Sequence, residues 1–348
     1  MKVMRCSRLF NKKCFAVVTF VYSLKLFLIF CIYTFNVQAQ DVRFSSLEAN
    51  PLFLNPALTG FFAEQFRCGT VYRNQWSSVS KGYNTFLLTA ESHLYQSKNG
   101  TGLSFGLEFI SDVAGSLSYG SRNVGLSVAF YKSFGQQNKH VFSFAVKGNR
   151  QSYSYDVTNA DFGASPSDLE NIPLNSFYFY DVSAGFHWQT AFDNGQIISS
   201  GLSLSHINKP AFSYFATNNS NIPLKTNFYA TYFFESSSTY AFKPIIIAEF
   251  QNTNLEVVAG SEIILDLNPM LYEEKSFAAG LYYRVLDALI LTGVFTYNNL
   301  NIGISYDINL SMLTPVSKSY GAVEIWLNYA FNINKRARRL SKIPCPVF

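Results

Sequence analysis

The sequence predicts an all-β protein: a transmembrane antiparallel up-and-down β-barrel of about fourteen strands, with a short irregular N-terminal segment. Three observations carry this reading. The 348 residues are 48% apolar and 17% aromatic but only 14% charged, with 34 Phe and 22 Tyr, an unusual balance for a soluble domain. After residue 40 no window offers the run of about 20 apolar residues that a spanning helix needs, and the best candidate, 276–297, is broken by Arg284 and Asp287. A closed barrel, whose backbone groups pair between strands, is the remaining way across a bilayer. Finally, segment after segment alternates apolar with small or polar residues at period two. A soluble sandwich or propeller would also alternate, but the aromatic load and the scarcity of charge on the apolar phase favour the barrel.

Residues 1–39 read as a signal peptide. Lys2, Arg5, Arg8, Lys12 and Lys13 form a basic leader, an apolar run extends from Cys14 to Val37, and Val37 to Ala39 presents small side chains for cleavage, which would make Gln40 the new N-terminus. Lys25 interrupts the run, so an uncleaved anchor is the alternative. Those five residues and Lys25 belong to the 27 Lys and Arg of the chain, and without them 21 basic residues face 22 acidic ones. The basic character therefore belongs to the leader, and a nucleic-acid partner, which needs a basic patch on a folded face, is disfavoured. Cys6, Cys14 and Cys31 leave with it. Cys68, in a strand-like run, and Cys345, in a tail, are poorly placed to pair.

The next segment, 40–65, contains ANPLFLNPALTG at 49–60. Asn before Pro favours a turn, because Pro fixes its own φ and keeps its predecessor out of the helical region. The prolines remove backbone donors and the asparagines can satisfy their own turns, so a compact irregular segment needs no sheet partner. Leu52, Phe53 and Leu54 would pin it in the periplasmic mouth or as a plug.

Residues 66–331 supply the barrel. Strands are expected at 66–75, 83–94, 101–112, 120–133, 139–152, 177–190, 196–207, 225–235, 240–251, 254–265, 276–285, 287–298, 300–309 and 321–331, an even number as single-chain bacterial barrels use. In one of them Val124, Leu126, Val128 and Phe130 occupy the lipid phase against Gly125, Ser127 and Ala129. In another Val182, Ala184, Phe186 and Trp188 oppose Asp181, Ser183, Gly185 and His187. In the last, Val323, Ile325, Leu327, Tyr329 and Phe331 face away from Glu324 and Asn328. The longest links, 153–176, 208–224 and 310–320, all join an odd strand to an even one, which places both termini in the periplasm, since outer-membrane barrels keep their short turns there. The ten-residue link 266–275 is an exception.

Chemical motifs are weak. GLSFG at 102–106 matches a hydrolase nucleophile elbow, but Leu103, Phe105, Leu107 and Phe109 alternate straight through Ser104, whereas an elbow needs a sharp turn into a helix. His93, His140, His187 and His206 are scattered, and any pairing of Ser with His is arbitrary at this level. No metal-ligand spacing and no phosphate loop occurs, so no cofactor or metal is expected. Glu108, Lys147, Asp181, Glu256, Glu262, Asp307 and Glu324 sit on strands, either along a solute path or, as is commoner, as lumen-filling ion pairs. The closing segment 332–348 carries Lys335, Arg336, Arg338, Arg339 and Lys342, a solvated end or a periplasmic contact for an acidic partner or lipid headgroups.

The start of the exported chain, QDVRFSSLEANPLFLNPALTG followed by FRCGTVYRNQW, resembles the PorP/SprF family of Bacteroidetes outer-membrane proteins associated with type IX secretion and gliding. The matching positions are Gln40, Asp41, Phe44, Ser45, Asn50, Pro51, Asn55, Pro56, Ala57, Gly60, Arg67, Tyr72, Arg73, Asn74, Gln75 and Trp76. Ser77 departs from the pattern, where proline is expected. Weaker similarity runs through LSLSHINKP, GLYYRVLDALI, GISYDINLSML, GAVEIWLNY and the closing CPVF. The resemblance implies a non-enzymatic component of the cell outer membrane without cofactors. Its implied partners are the lipoprotein and ring proteins of the periplasmic secretion machinery, a secreted adhesin with a C-terminal sorting domain, and outer-membrane lipid. The rival is an outer-membrane transporter or channel for small hydrophobic solutes.

Overall fold

The computed structural model describes residues 42–46, 49–77, 82–97, 99–115, 118–135, 138–155, 176–212, 220–267, 274–311 and 314–333. The leader and most of the basic tail, including Lys335, Arg336, Arg338 and Arg339, lie outside them. Fourteen strands run in order: β1 Phe66–Gln75, β2 Tyr83–Gln96, β3 Thr101–Ala114, β4 Tyr119–Phe134, β5 His140–Ser154, β6 Ser176–Ala191, β7 Ile197–Ser205, β8 Lys225–Glu235, β9 Tyr240–Gln251, β10 Asn254–Asp266, β11 Lys275–Arg284, β12 Ala288–Tyr297, β13 Leu300–Asn309 and β14 Tyr320–Phe331. Each pairs antiparallel with its sequence neighbours, and β1 pairs with β14 from Phe66↔Phe331 to Gln75↔Ala322, which closes the barrel.

The side chains are arranged inside out relative to a soluble protein. On β4 Val124, Leu126, Val128 and Phe130 are exposed, about half of each surface being accessible, whereas Ser127 and Ala129 are buried. The buried set of the whole barrel is rich in Arg, Lys, Glu, Asp, His, Asn and Ser. A wall with an apolar outside and a polar inside is what a bilayer demands of strands. Pro244, which donates no hydrogen bond, sits within β9 where the ladder to β8 skips from Thr231↔Ile245 to Phe234↔Phe242.

The two mouths differ. Links from even to odd strands are mostly tight, and the two-residue link 298–299 places Asn298 at φ +50°, the left-handed conformation that so short a hairpin needs. The other mouth carries the links 155–175 and 206–224 and the link 310–319, which holds a short helix, Thr314–Ser317. Most strand ends move by one or two residues from the expected bounds; β7, for one, ends at Ser205 and not at 207, because His206 takes φ +60° and turns its ring toward Asp181 in the lumen. Strands β2–β6 have 14 to 16 residues against 9 to 13 elsewhere, so one side of the wall is taller.

Candidate functional site

Residues 42–46 and 49–65 lie inside the barrel, and the two Asn-Pro pairs explain how. Each Asn is a helix cap and each Pro the first residue after it. Asn50 caps α1 (Pro51–Leu54), with Oδ1 accepting from the Phe53 N–H at 3.4 Å, and Asn55 caps a 3₁₀ turn (Pro56–Leu58), with Oδ1 accepting from the Ala57 N–H at 2.9 Å. The first N–H of a helical turn has no partner within the turn, so proline loses nothing there. Within the irregular segment expected from the sequence there are thus two short helical turns, of four and three residues. Asn55, fully buried, also donates from its own N–H to Pro51 O at 3.0 Å and from Nδ2 to Phe186 O on β6 at 2.9 Å. Ser203 on β7 donates to Leu54 O, and the Thr59 hydroxyl meets that of Ser127 on β4 at 2.8 Å.

Two charged clusters hold the segment at its ends. Toward the mouth with the long links, Glu324 on β14 accepts from the N–H groups of Ser45 (2.5 Å) and Ser46 (3.0 Å) and from the Arg73 guanidinium. The Ser45 hydroxyl donates to Asp307 at 2.6 Å and accepts from Arg73 at 2.7 Å and Arg284 at 3.0 Å. Arg284 reaches Asp307 at 3.3 Å and Glu256 at 3.5 Å, and Arg43 of the segment also pairs with Glu256. Arg284 also reaches the half-exposed Asp287 at 3.2 Å, so three guanidiniums meet four carboxylates, the fourth at the solvent edge where its charge is hydrated.

At the other mouth Arg67 pairs with Glu91 through Nε (2.9 Å) and Nη2 (2.8 Å), and the second Glu91 oxygen accepts from the Gly60 N–H at 2.9 Å. Arg67 also lies over the Phe62 ring, 4.6 Å from its centroid. The His93 ring is clamped between Phe62 O (Nε2, 3.1 Å) and Ser104 Oγ (Nδ1, 3.0 Å). A carbonyl only accepts, which assigns the proton to Nε2 and makes Nδ1 the acceptor of the Ser104 hydroxyl. Gly60 sits at φ +72°, where a Cβ would fall 2.0 Å from Ser104 Oγ. The chain therefore passes through the lumen from the long-link mouth, at residues 43–46, to the tight-turn mouth, where β1 begins.

The residues singled out in the sequence divide by face. Asn50, Pro51, Asn55, Pro56 and Gly60 are buried in the lumen, and Arg67 and Arg73 point inward to the two clusters. Gln75 accepts from Arg73. Tyr72 and Asn74 stand on the outward phase and both donate to Asn84 Oδ1, at 2.9 and 2.7 Å, while Trp76 packs edge-on to Tyr83 with φ +56°. The inward strand charges form pairs, Lys147 with Glu108, Lys243 with Glu262 and His206 with Asp181, which is the lumen-filling arrangement. Glu91 and the His93–Ser104 pair escaped sequence reasoning, although both fall on the inward phase. Ser104 lies mid-strand with no exposed surface, beneath Gly60, so GLSFG forms no elbow. Cys68 is a free thiol on the outer face. No cluster of three or more potential metal ligands occurs among the described residues. A cavity of about 670 Å³ remains at the tight-turn mouth, lined in part by Phe61, Glu64, Phe233, Glu235 and Asn299.

Residues 36–329 match the model of a family described as type IX secretion system membrane protein PorP/SprF. No curated protein matches the chain significantly. Among solved structures it is similar to the toluene transporter TbuX of Ralstonia pickettii (13% identity, TM-score 0.48, covering 80% of this chain and 90% of that one). Similar figures hold for the monoaromatic hydrocarbon channel CymD (12%, 0.48, 82% and 93%). CdiB from Acinetobacter baumannii is more distant (7%, 0.40, 76% and 60%).

Proposed function

The chain belongs to the PorP/SprF family of type IX secretion system membrane proteins, and from that membership we propose that it is a non-catalytic outer-membrane component of that machinery. In this reading it acts by binding. The periplasmic secretion-ring proteins contact the tight-turn mouth and the basic tail with Lys335, Arg336, Arg338 and Arg339, and a secreted adhesin with a C-terminal sorting domain is exported or anchored at the long-link mouth. The long links then face outward and β14 ends at the periplasmic mouth, whereas residues 43–46 lie at the outward mouth. The parity of the links, which placed both ends of the chain in the periplasm, thus holds only for the end that follows β14.

The observation that carries the binding role, against conduction of cargo through the lumen, is the segment 42–65. It runs the length of the lumen, fixed by a charged cluster at each end and by side-chain bonds to β4, β6 and β7 between them. A folded adhesin has no path through such an interior. Catalysis is disfavoured by the closure of Ser104 and His93 beneath that same segment.

The test is a deletion strain complemented with tagged protein. Cell-surface and secreted proteomes should lose one adhesin class, and affinity capture from solubilised outer membranes should recover secretion-ring proteins. An unchanged surface proteome together with failed uptake of a hydrophobic solute would establish the transporter reading. Bilayer conductance separates the two again: the intact chain should be nearly silent, and removal of residues 42–60 should open it.

A further inference from the structure

The outward phase of the fourteen strands carries no Asp or Glu among the described residues, and its Lys and Arg are Arg122 and Lys132 on β4, Arg150 on β5 and Lys275 on β11. An outward cation on a barrel wall faces lipid, so its depth decides what it meets. The ten-residue step from Arg122 to Lys132 encloses Val124, Leu126, Val128 and Phe130. At about 3.3 Å per residue and a tilt of about 40°, it corresponds to about 25 Å along the barrel axis, the height of the apolar band of an outer-membrane barrel. Arg122 and Lys132 thus sit at opposite edges of the band, Arg122 on the side of the long links.

At that edge the cations are doubled. Arg122 pairs with Ser152 and Ser152 with Tyr178 in one cross-strand row, while Val124, Arg150 and Tyr180 form the next row. Arg122 and Arg150 are therefore diagonal neighbours on one face, about 7–8 Å apart at the backbone and within joint reach of one group. The Arg150 guanidinium lies over the Tyr178 ring, 4.5 Å from the centroid, a contact that ties it to the wall. Tyr178 and Tyr180 are 58% and 64% exposed, as interfacial tyrosines of a barrel girdle are. Neither arginine has an acidic partner among the described residues, unlike Arg43, Arg67, Arg73 and Arg284, which are all ion-paired inside.

We propose that Arg122 and Arg150, with Tyr178 as platform, form a binding site for the phosphate of an outer-leaflet glycolipid headgroup. A lipid phosphate is the occupant that fits: it is anionic, it lies at this depth, and its acyl chains cover the apolar residues directly below the arginines. The taller wall of β2–β6 provides the surface on which the sugar part rests. The inference relies on the outer-membrane orientation proposed above.

The experiment purifies the full chain, Arg122→Gln, Arg150→Gln, the double variant and Lys132→Gln from outer membranes in mild detergent and measures co-purified glycolipid by native mass spectrometry. The probe for titration is phosphatidylcholine nanodiscs doped with lipid A. Each arginine should contribute about five-fold in retention, the pair about thirty-fold, and Lys132→Gln should match the parent. Heat-modifiable gel mobility confirms that all variants are folded. Equal retention by the double variant overturns the proposal, as does an equal loss in Lys132→Gln or displacement of the glycolipid by millimolar inorganic phosphate. Membrane fractionation reports location independently: correct fractionation with no arginine effect removes this site and leaves the secretion role standing, whereas fractionation elsewhere overturns both.

Discussion

Gly60→Ala tests the docking of the inner segment at its tightest point. The backbone there holds φ +72°, and an added Cβ would stand 2.0 Å from Ser104 Oγ and 2.2 Å from Ser104 Cβ, both on β3. The left-handed conformation costs an L side chain about 1–2 kcal/mol and overpacking a closed interior about 1–3 kcal/mol, so a total loss of about 2–5 kcal/mol is expected. Ser104→Gly in the same chain removes the collision but not the backbone strain. The double variant should therefore recover about 1–3 kcal/mol relative to additivity, although Ser104→Gly alone is destabilising, because it leaves His93 Nδ1 without its donor. Urea unfolding of the barrel in detergent, followed by heat-modifiable gel mobility, measures the energies, and protease cleavage within 42–65 reports whether the segment has left the lumen. A Gly60→Ala variant as stable and as protected as the parent, or a cycle with no coupling between the two sites, would show that the segment does not dock as described.

Further outcomes follow from the same contacts. Asn55→Ala removes a cap and leaves Phe186 O without its side-chain donor, and should cost about 2–3 kcal/mol, whereas Asn50→Ala, whose cap bond is 3.4 Å long, should cost under about 1 kcal/mol by the same denaturation assay. Glu324→Gln unbalances the cluster around Ser45 and should destabilise by about 3 kcal/mol, with little dependence on salt, since its partners are buried; a loss that vanishes at high salt would place the cluster in water. Trp188 lies on the outward phase of β6 and Trp326 in the lumen with 1% exposure, so brominated lipid should quench the fluorescence of a chain retaining only Trp188 and spare one retaining only Trp326.

The wall was legible in the sequence because a two-sided strand records its environment at every residue. Val124 to Phe130 and Val323 to Phe331 declare lipid on one phase, and Glu324 and Asn328 declare the lumen on the other. The strand ends shifted by one or two residues where the local rule yields to a contact, as at His206. The inner segment was legible only as a resemblance and a pair of turns. Its partners are set by closure of the ring: Ser45 meets Glu324 across 279 positions, and Gly60 meets Glu91 across 31, distances over which periodicity carries no information. His93 and Ser104 illustrate the same limit. Both were visible as residues, but only the register of β2 on β3, His93↔Ser104, makes them neighbours.

The path of the inner segment also constrains the order of assembly. It precedes every strand in the sequence, yet Ser45 and Ser46 bind a carboxylate on the last strand, and Asn55 binds β6. Until β14 arrives beside β1, the segment has one half of its receptor. Its final lock and the sealing of the β1–β14 seam are consequently a single event, since Arg73 on β1 and Glu324 on β14 are cross-strand partners in that seam and ligands of Ser45 at once. A barrel that closes without its occupant leaves Glu256 without Arg43 and Glu324 without its two N–H donors, so the segment serves as the ring's own criterion of completion.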